Sequence, residues 1–232
     1  MNVAIIVAAG QGSRMGGDCP KQFMELAGVP VIIHTLNAFE QCDEIDEVVV
    51  VLPPGESANF LSLASKHRVR KVTKVVGGGS TRADSVKRGL DTIRSATAEI
   101  IAVHDGVRPL VDADEISKVV NAAREHGAAL LAGPVTDTIK QVDGEKIVGT
   151  LERSSLRRAL TPQCFQYQIL KRAFEQVDVT DPSLTDESVL VERQGVIVMI
   201  VEGSSRNIKI TTREDLALAE AMIRMKAVGR KQ

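Results

Sequence analysis

The chain has 232 residues, 44% of them hydrophobic, which suits one domain with a sizeable core. Its 29 Lys+Arg against 30 Asp+Glu give a formal charge of −1, so a polycationic nucleic-acid coat is excluded and any attraction for anions is local. No apolar run approaches the ~20 residues of a membrane span, the start "MNVAIIVAAG" lacks the basic flank of a secretion signal, and Cys19, Cys42 and Cys164 are isolated. A cytoplasmic protein is expected, with reduced thiols and neither a membrane nor a nucleic-acid partner.

In chain order, "NVAIIV" (2–7) predicts a first strand and a glycine-rich loop follows it. Helical patterns at 31–41, 57–67, 82–93 and 112–126 then alternate with β-branched runs at 47–52, 70–76, 99–103 and 128–135. Val86, Leu90 and Ile93 share one helical face, and Asp112 with Glu115 and Thr212 with Asp215 match the capping-box start of a helix. Residues 136–163 break the rhythm, alternating weakly about Asp143-Gly144 with charges on both sides. They predict a projecting β-hairpin arm, either a solvated excursion or, as we favour, an arm packed on a second subunit. A run at 196–201 and a helix at 212–225 close the chain, and no fused second enzyme is expected. The pattern predicts a single domain over 1–232 with a three-layer α/β fold, a mainly parallel sheet and ligands at the strands' carboxyl ends.

The loop "VAAGQGSRMGG" removes side chains where a strand ends. It is no Walker A loop, since no Lys-hydroxyl pair follows, and the dinucleotide fingerprint fails by one residue. What remains is a main-chain cup for a polyphosphate, with Arg14 and then Lys21 in "CPKQF" as cations. "VVGGGSTRADSV" (75–86) fits either a nucleobase lying on glycine backbone or a serine-rich helix cap. In "VHDGVRP" (103–109), Asp105 suits Mg²⁺ or an ion pair with Arg108, and His104 reads as a hydrogen-bonded strand-end residue. Lys209 in the strand-like "NIKIT" reads as an ion pair or a phosphate contact, and Thr185-Asp186 as a helix cap.

The set "AAGQGSRMG", "PKQF", "GGGSTRADSV", "HDGVRP", "PVTDTIK", "ALTPQ", "TDES", "VEG" and "NIKIT" closely resembles the 2-C-methyl-D-erythritol 4-phosphate cytidylyltransferases, in order from residue 3 to about residue 220. The resemblance implies a Rossmann-like nucleotidyltransferase fold, a homodimer that exchanges arms, and transfer of CMP from CTP with Mg²⁺. It implies that Ala8, Ala9, Gly10, Gly12, Arg14 and Lys21 hold the triphosphate and that Gly79 and Ser85 read cytosine. By the same likeness Asp105, Gly106 and Arg108 surround the ribose and metal, with Asp105 as metal ligand. Thr138, Arg153, Thr185, Asp186 and Lys209 would bind methylerythritol phosphate, Arg108 being grouped with these substrate-binding residues, and Arg14, Lys21 and Lys209 would be catalytic. Two rivals are a pentitol (ribitol 5-phosphate) cytidylyltransferase and a non-catalytic nucleotide-binding regulator.

Overall fold

A computed structural model of the chain describes residues 1–10 and 19–229, the last four through their backbone alone. The unbroken apolar runs become strands with two buried faces. In β1 (Val3–Val7), Ala4 and Ile6 enter one core while Val3 and Ile5 enter another. In β4 (Glu47–Leu52), Val48, Val50 and Leu52 join the first core and Val49 and Val51 the second; β6 (Ile100–Asp105) divides in the same way. A two-residue period with both phases apolar is what helices on both faces of a sheet require.

Those helices are amphipathic and sort by face. The short pair β2 (Glu25–Leu26) and β3 (Val29–Pro30) leads into α1 (Val31–Glu40), which with α2 (Ser57–Lys66) and α4 (Ala113–His126) sends Leu36, Phe39, Phe60, Ile116 and Val120 into the first core. On the other face α3 (Arg82–Asp91), α5 (Tyr167–Glu175) and α6 (Glu187–Glu192) supply Val86, Leu90, Leu170, Phe174 and Leu190. Burying each such side chain contributes roughly 1.5–3 kcal/mol. At the start of α4, Asp112 Oδ1 accepts from Glu115 N at 3.0 Å while Glu115 Oε2 accepts from Asp112 N at 3.3 Å. Thr212 and Asp215 exchange the same pair of bonds at the start of α7 (Arg213–Gly229). Caps of this kind are worth about 1 kcal/mol each.

With β5 (Val72–Gly77), β7 (Ala128–Pro134), β10 (Arg157–Gln166) and β11 (Met199–Glu202), the main sheet has seven strands in the order β11-β7-β10-β6-β1-β4-β5. Only β10 runs antiparallel to its neighbours. The chain moves outward from β1 through β4 to β5, then returns across α3 to β6 on the far side of β1. Loops diverge at such a reversal and open a crevice beyond the carboxyl ends.

Two expectations change. The segment 136–163 is not all arm: β8 (Lys140–Asp143) and β9 (Lys146–Thr150) form an exposed antiparallel hairpin turning at Gly144, but Arg157 onward is β10, inserted between β6 and β7. Its first residues, Arg157 to Ala159, are exposed and therefore look like arm; from Leu160 the strand is buried, and the register shifts between Ala159 and Gln163. "NIKIT" is not a strand. It is a loop tied by Ile210 N to Val107 O at 2.9 Å, with Ile210 buried against Leu26, Val31 and Ala219, the cluster that seats α7.

Candidate active site

Main-chain bonds knit the strand ends together. Ala8 N donates to Val51 O at 2.8 Å, Gly78 N to Leu52 O at 2.7 Å and Gly106 N to Val7 O at 2.9 Å, while the buried Gln22 side chain donates to Ala8 O at 2.8 Å. Beyond them lies a cleft of about 680 Å³. Ala8, Ala9, Gly10, Lys21, Gly79, Ser85, Asp105 and Lys209 all line it, brought from five places in the sequence to one wall. A Cβ at position 78 would stand 2.3 Å from Ala9 Cβ, and one at 79 would stand 1.9 Å from Asp84 Oδ2. Glycine is needed there because neighbouring chain segments already occupy the space a side chain would take. Ser85 Oγ accepts from Gly79 N at 3.0 Å and donates to Thr81 O at 2.9 Å, so this hydroxyl braces the glycine loop.

Asp105 is the electrostatic centre. Its Oδ1 meets Arg82 Nε at 3.2 Å, and its Oδ2 meets Lys209 Nζ at 3.0 Å and Arg108 Nε at 3.3 Å. Burial works to raise the Asp105 pKa, yet Arg82, Lys209 and Arg108 together hold the carboxyl well below its ordinary value. Arg82 is in turn gripped by Glu187, whose two oxygens take Nη1 at 2.7 and 2.8 Å. Burial opposes charge on Arg82, but Glu187 and Asp105 override it and raise the guanidinium pKa above its ordinary value. Glu187 itself is pushed up by burial, with Arg82 pulling the other way.

His104 is fully buried, and its pKa is pushed down to about 3, first by desolvation. Its Nε2 lies 3.2 Å from Arg108 O, which only accepts, so Nε2 carries the proton and Nδ1 accepts from Thr161 Oγ1 at 3.0 Å. A neutral, inward-facing imidazole is a structural member, as expected from the sequence.

The remaining expected residues divide into four groups. Gly106 and Arg108 sit just behind the cleft, Arg108 held to Asn207 O at 2.9 Å. Asp186 caps α6: Oδ1 accepts from Val189 N at 3.2 Å and Ser188 Oγ at 3.0 Å, and Oδ2 from Gln163 Nε2 at 2.9 Å, with exposed Thr185 preceding it. Thr138 and Arg153 are not brought to the cleft. Arg153 donates to Thr136 O at 2.9 Å and lines a separate groove of about 530 Å³ with Arg157, Ile200 and Glu202 at the sheet edge. Gly12 and Arg14 lie outside the described residues. Sequence reasoning missed Gln22, Arg82, Thr161, Gln163, Glu187 and Asn207. Arg82 had a signal, standing at the start of a helix directly behind the glycine run.

Mg²⁺ takes oxygen ligands, carboxylates and phosphates among them. Among the described residues no group of three or more His, Cys, Asp or Glu could hold a metal, and Asp105 is the only carboxylate lining the cleft. That fits no resident ion. It does fit one that keeps its waters, takes oxygens from a triphosphate and asks a single carboxylate oxygen of the protein. Lys209, the most exposed cation on Asp105, is the one with room to turn aside.

Residues 2–225 match the family described as IspD, 2-C-methyl-D-erythritol 4-phosphate cytidylyltransferase. The chain belongs to that family. Relatives of that name include one from Pelotomaculum thermopropionicum, 45% identical over 95% of this chain and 93% of the relative, and one from Geobacillus kaustophilus, 43% identical over 95% and 96%. Among solved structures, the 4-diphosphocytidyl-2C-methyl-D-erythritol synthase of Anaerococcus prevotii is 30% identical with a TM-score of 0.85, covering 96% of each chain. The Thermus thermophilus cytidylyltransferase is 32% identical with a TM-score of 0.78, covering 97% of this chain and all of that one. The fold is accordingly the Rossmann-like nucleotidyltransferase fold, and the chain is a nucleotidyltransferase of the IspD family.

Proposed function

We propose that the chain transfers CMP from CTP to 2-C-methyl-D-erythritol 4-phosphate, releasing pyrophosphate and forming 4-diphosphocytidyl-2-C-methyl-D-erythritol. The observation that carries this reading is the cleft itself: strand-end main chain and the cations Lys21, Arg82 and Lys209 converge on one wall around Asp105. That is equipment for polyphosphate. An oxygen of the acceptor's phosphate monoester attacks the α-phosphorus of CTP, a new P–O bond forms, and the bond to the β-phosphate's bridging oxygen breaks. The nucleophile is already anionic near neutral pH, so no base is needed, and the buried neutral His104 offers none.

What the protein supplies is position and positive charge. Lys21 neutralises the triphosphate, with Arg14, which lies outside the described residues, as a second cation by family likeness; Lys209 releases Asp105 to meet the reacting phosphates. Ser85 holds the Gly79 amide where a cytosine edge is read. Asp105 would be the protein ligand of a Mg²⁺ carried in on the triphosphate, which would further neutralise phosphate oxygens.

Completion of the acceptor half by a second copy is part of the proposal. Thr138 and Arg153 lie on the arm side, away from the cleft of their own chain. Val142, Ile147 and Val148 on the arm and Ile200 on the edge strand β11 are exposed apolar residues, which a homodimer with exchanged arms would cover. No helix of the described chain is long and apolar enough to cross a membrane, and a cytoplasmic setting suits the polar reactants. The test is pyrophosphate release from CTP and Mg²⁺ with methylerythritol 4-phosphate or ribitol 5-phosphate. Release with the first is expected. Release with ribitol 5-phosphate alone would identify the pentitol enzyme, and none with either would leave a nucleotide-binding regulator.

A further inference from the structure

Glu187 is an unusual residue to find where it is. It is the first residue of α6, 1% exposed, on the sheet face where α3, α5 and α6 pack. Its ion pair is with Arg82, the first residue of α3, which lines the cleft and reaches Asp105 with Nε while Nη1 is bound to both Glu187 oxygens. The chain of contacts runs from the segment Thr185-Asp186, expected at the acceptor, through Glu187 and Arg82 to Asp105 and Lys209 at the nucleotide wall.

An ion pair with its carboxylate fully buried is a poor device for merely joining two helices, since apolar residues of similar volume commonly do it as well or better. What the pair does secure is direction. Freed of Glu187, the Arg82 guanidinium can pair with both oxygens of Asp105, occupying the oxygen that Lys209 vacates, and the net charge of the cluster rises from +1 (three cations, two carboxylates) to +2. Loss of Arg82's orientation would then disturb the cations that act on the reacting phosphates, not the main-chain surface that holds the nucleotide.

We propose that Glu187 is a positioning residue, acting through Arg82 to hold Asp105 and Lys209 in their reactive arrangement. The inference rests on the cytidylyltransferase reading and extends it to a residue that touches no substrate.

The test is a cycle of Glu187→Gln, Arg82→Gln and the double variant, assayed by pyrophosphate release with thermal melts alongside. Glu187→Gln is expected to lower kcat about 10- to 100-fold, the range for displaced reacting groups, with the KM for CTP within about threefold. The double variant is expected to turn over no more slowly than Arg82→Gln alone, because a residue acting only through Arg82 has nothing left to act on. A Glu187→Gln kcat within about twofold of wild type, or losses that multiply in the double variant, would overturn the proposal. Should Glu187→Gln fail to melt cooperatively, the double variant, which strands no buried charge, is compared with Arg82→Gln alone: equal kcat supports the clamp and a further loss overturns it. Wild-type protein that releases no pyrophosphate would overturn the reaction itself, and the clamp with it.

Discussion

Around the cleft, side chains are tied across the fold: Gln22 to Ala8, Arg82 to Asp105 and Glu187, Arg108 to Asn207. In the arm, by contrast, Lys140 bonds to Thr150 and Arg153 to Thr136, both within the same excursion, and Val142, Ile147 and Val148 face outward. A site on strand ends inherits the rigidity of the sheet; a two-stranded hairpin with no core of its own does not. On the proposed function, the nucleotide half of the reaction is preorganised within one chain, and the acceptor half is left for an arm whose apolar residues Val142, Ile147 and Val148 its own chain leaves exposed.

The largest effect expected on the cleft is from chelation. EDTA should abolish pyrophosphate release and Mg²⁺ restore it, because the cleft cations Lys21, Arg82 and Lys209, partly neutralised by Asp105, leave much of a triphosphate's charge uncompensated; full activity in chelator would refute the metal's part. Next is Lys21→Ala, expected to cost about 10²–10³ in kcat, as for loss of one charge-stabilising donor, with a smaller change in CTP binding. A raised KM for CTP with unchanged kcat would move Lys21 from the transition state to simple binding. Ser85→Ala should weaken CTP-over-UTP preference by ~1–3 kcal/mol, the cost of leaving the Gly79 amide without its brace; an unchanged preference would show that the backbone needs none.

The smallest expected effect concerns stability. Buried neutral His104 titrates near 3 when folded and near its ordinary 6.5 when unfolded, so below pH 6.5 the unfolded chain binds the extra proton. Its contribution is therefore present above about pH 6.5 and lost as pH falls toward 3, at up to ~1.4 kcal/mol per pH unit. Thermal melts between pH 6.5 and 5 should fall in the wild type and flatten in His104→Gln. Equal slopes would contradict the assignment.

Legibility in the sequence follows burial. β1 and β4, apolar in both phases, could be read almost to the residue, as could the helices whose caps are written in Asp112 and Thr212. β10 was hidden because Arg157 and Arg158 are exposed at its start, and α6 because six residues show little period. The same logic holds for the site. Ala8 to Gly10 and Asp105 announce themselves as glycine-rich or charged strand ends, Lys21 as a cation following the glycine-rich stretch, and Lys209 as a charge in an apolar run. Glu187, Gln163 and Thr161 carry no such mark: their roles come from contacts spanning 105, 23 and 57 residues, which no local pattern encodes.

The division between cleft and arm is tested most directly by mixing two inactive variants, Lys21→Ala and Arg153→Ala, and allowing subunits to exchange. In a mixed dimer one site collects both lesions, while the other has intact Lys21 and receives intact Arg153 from across the interface. Activity should return, to about half of wild type per mixed dimer by the symmetry of a two-site assembly. If subunits demonstrably exchange and activity stays at the level of the separate variants, the arm does not complete a neighbour's site and the account fails.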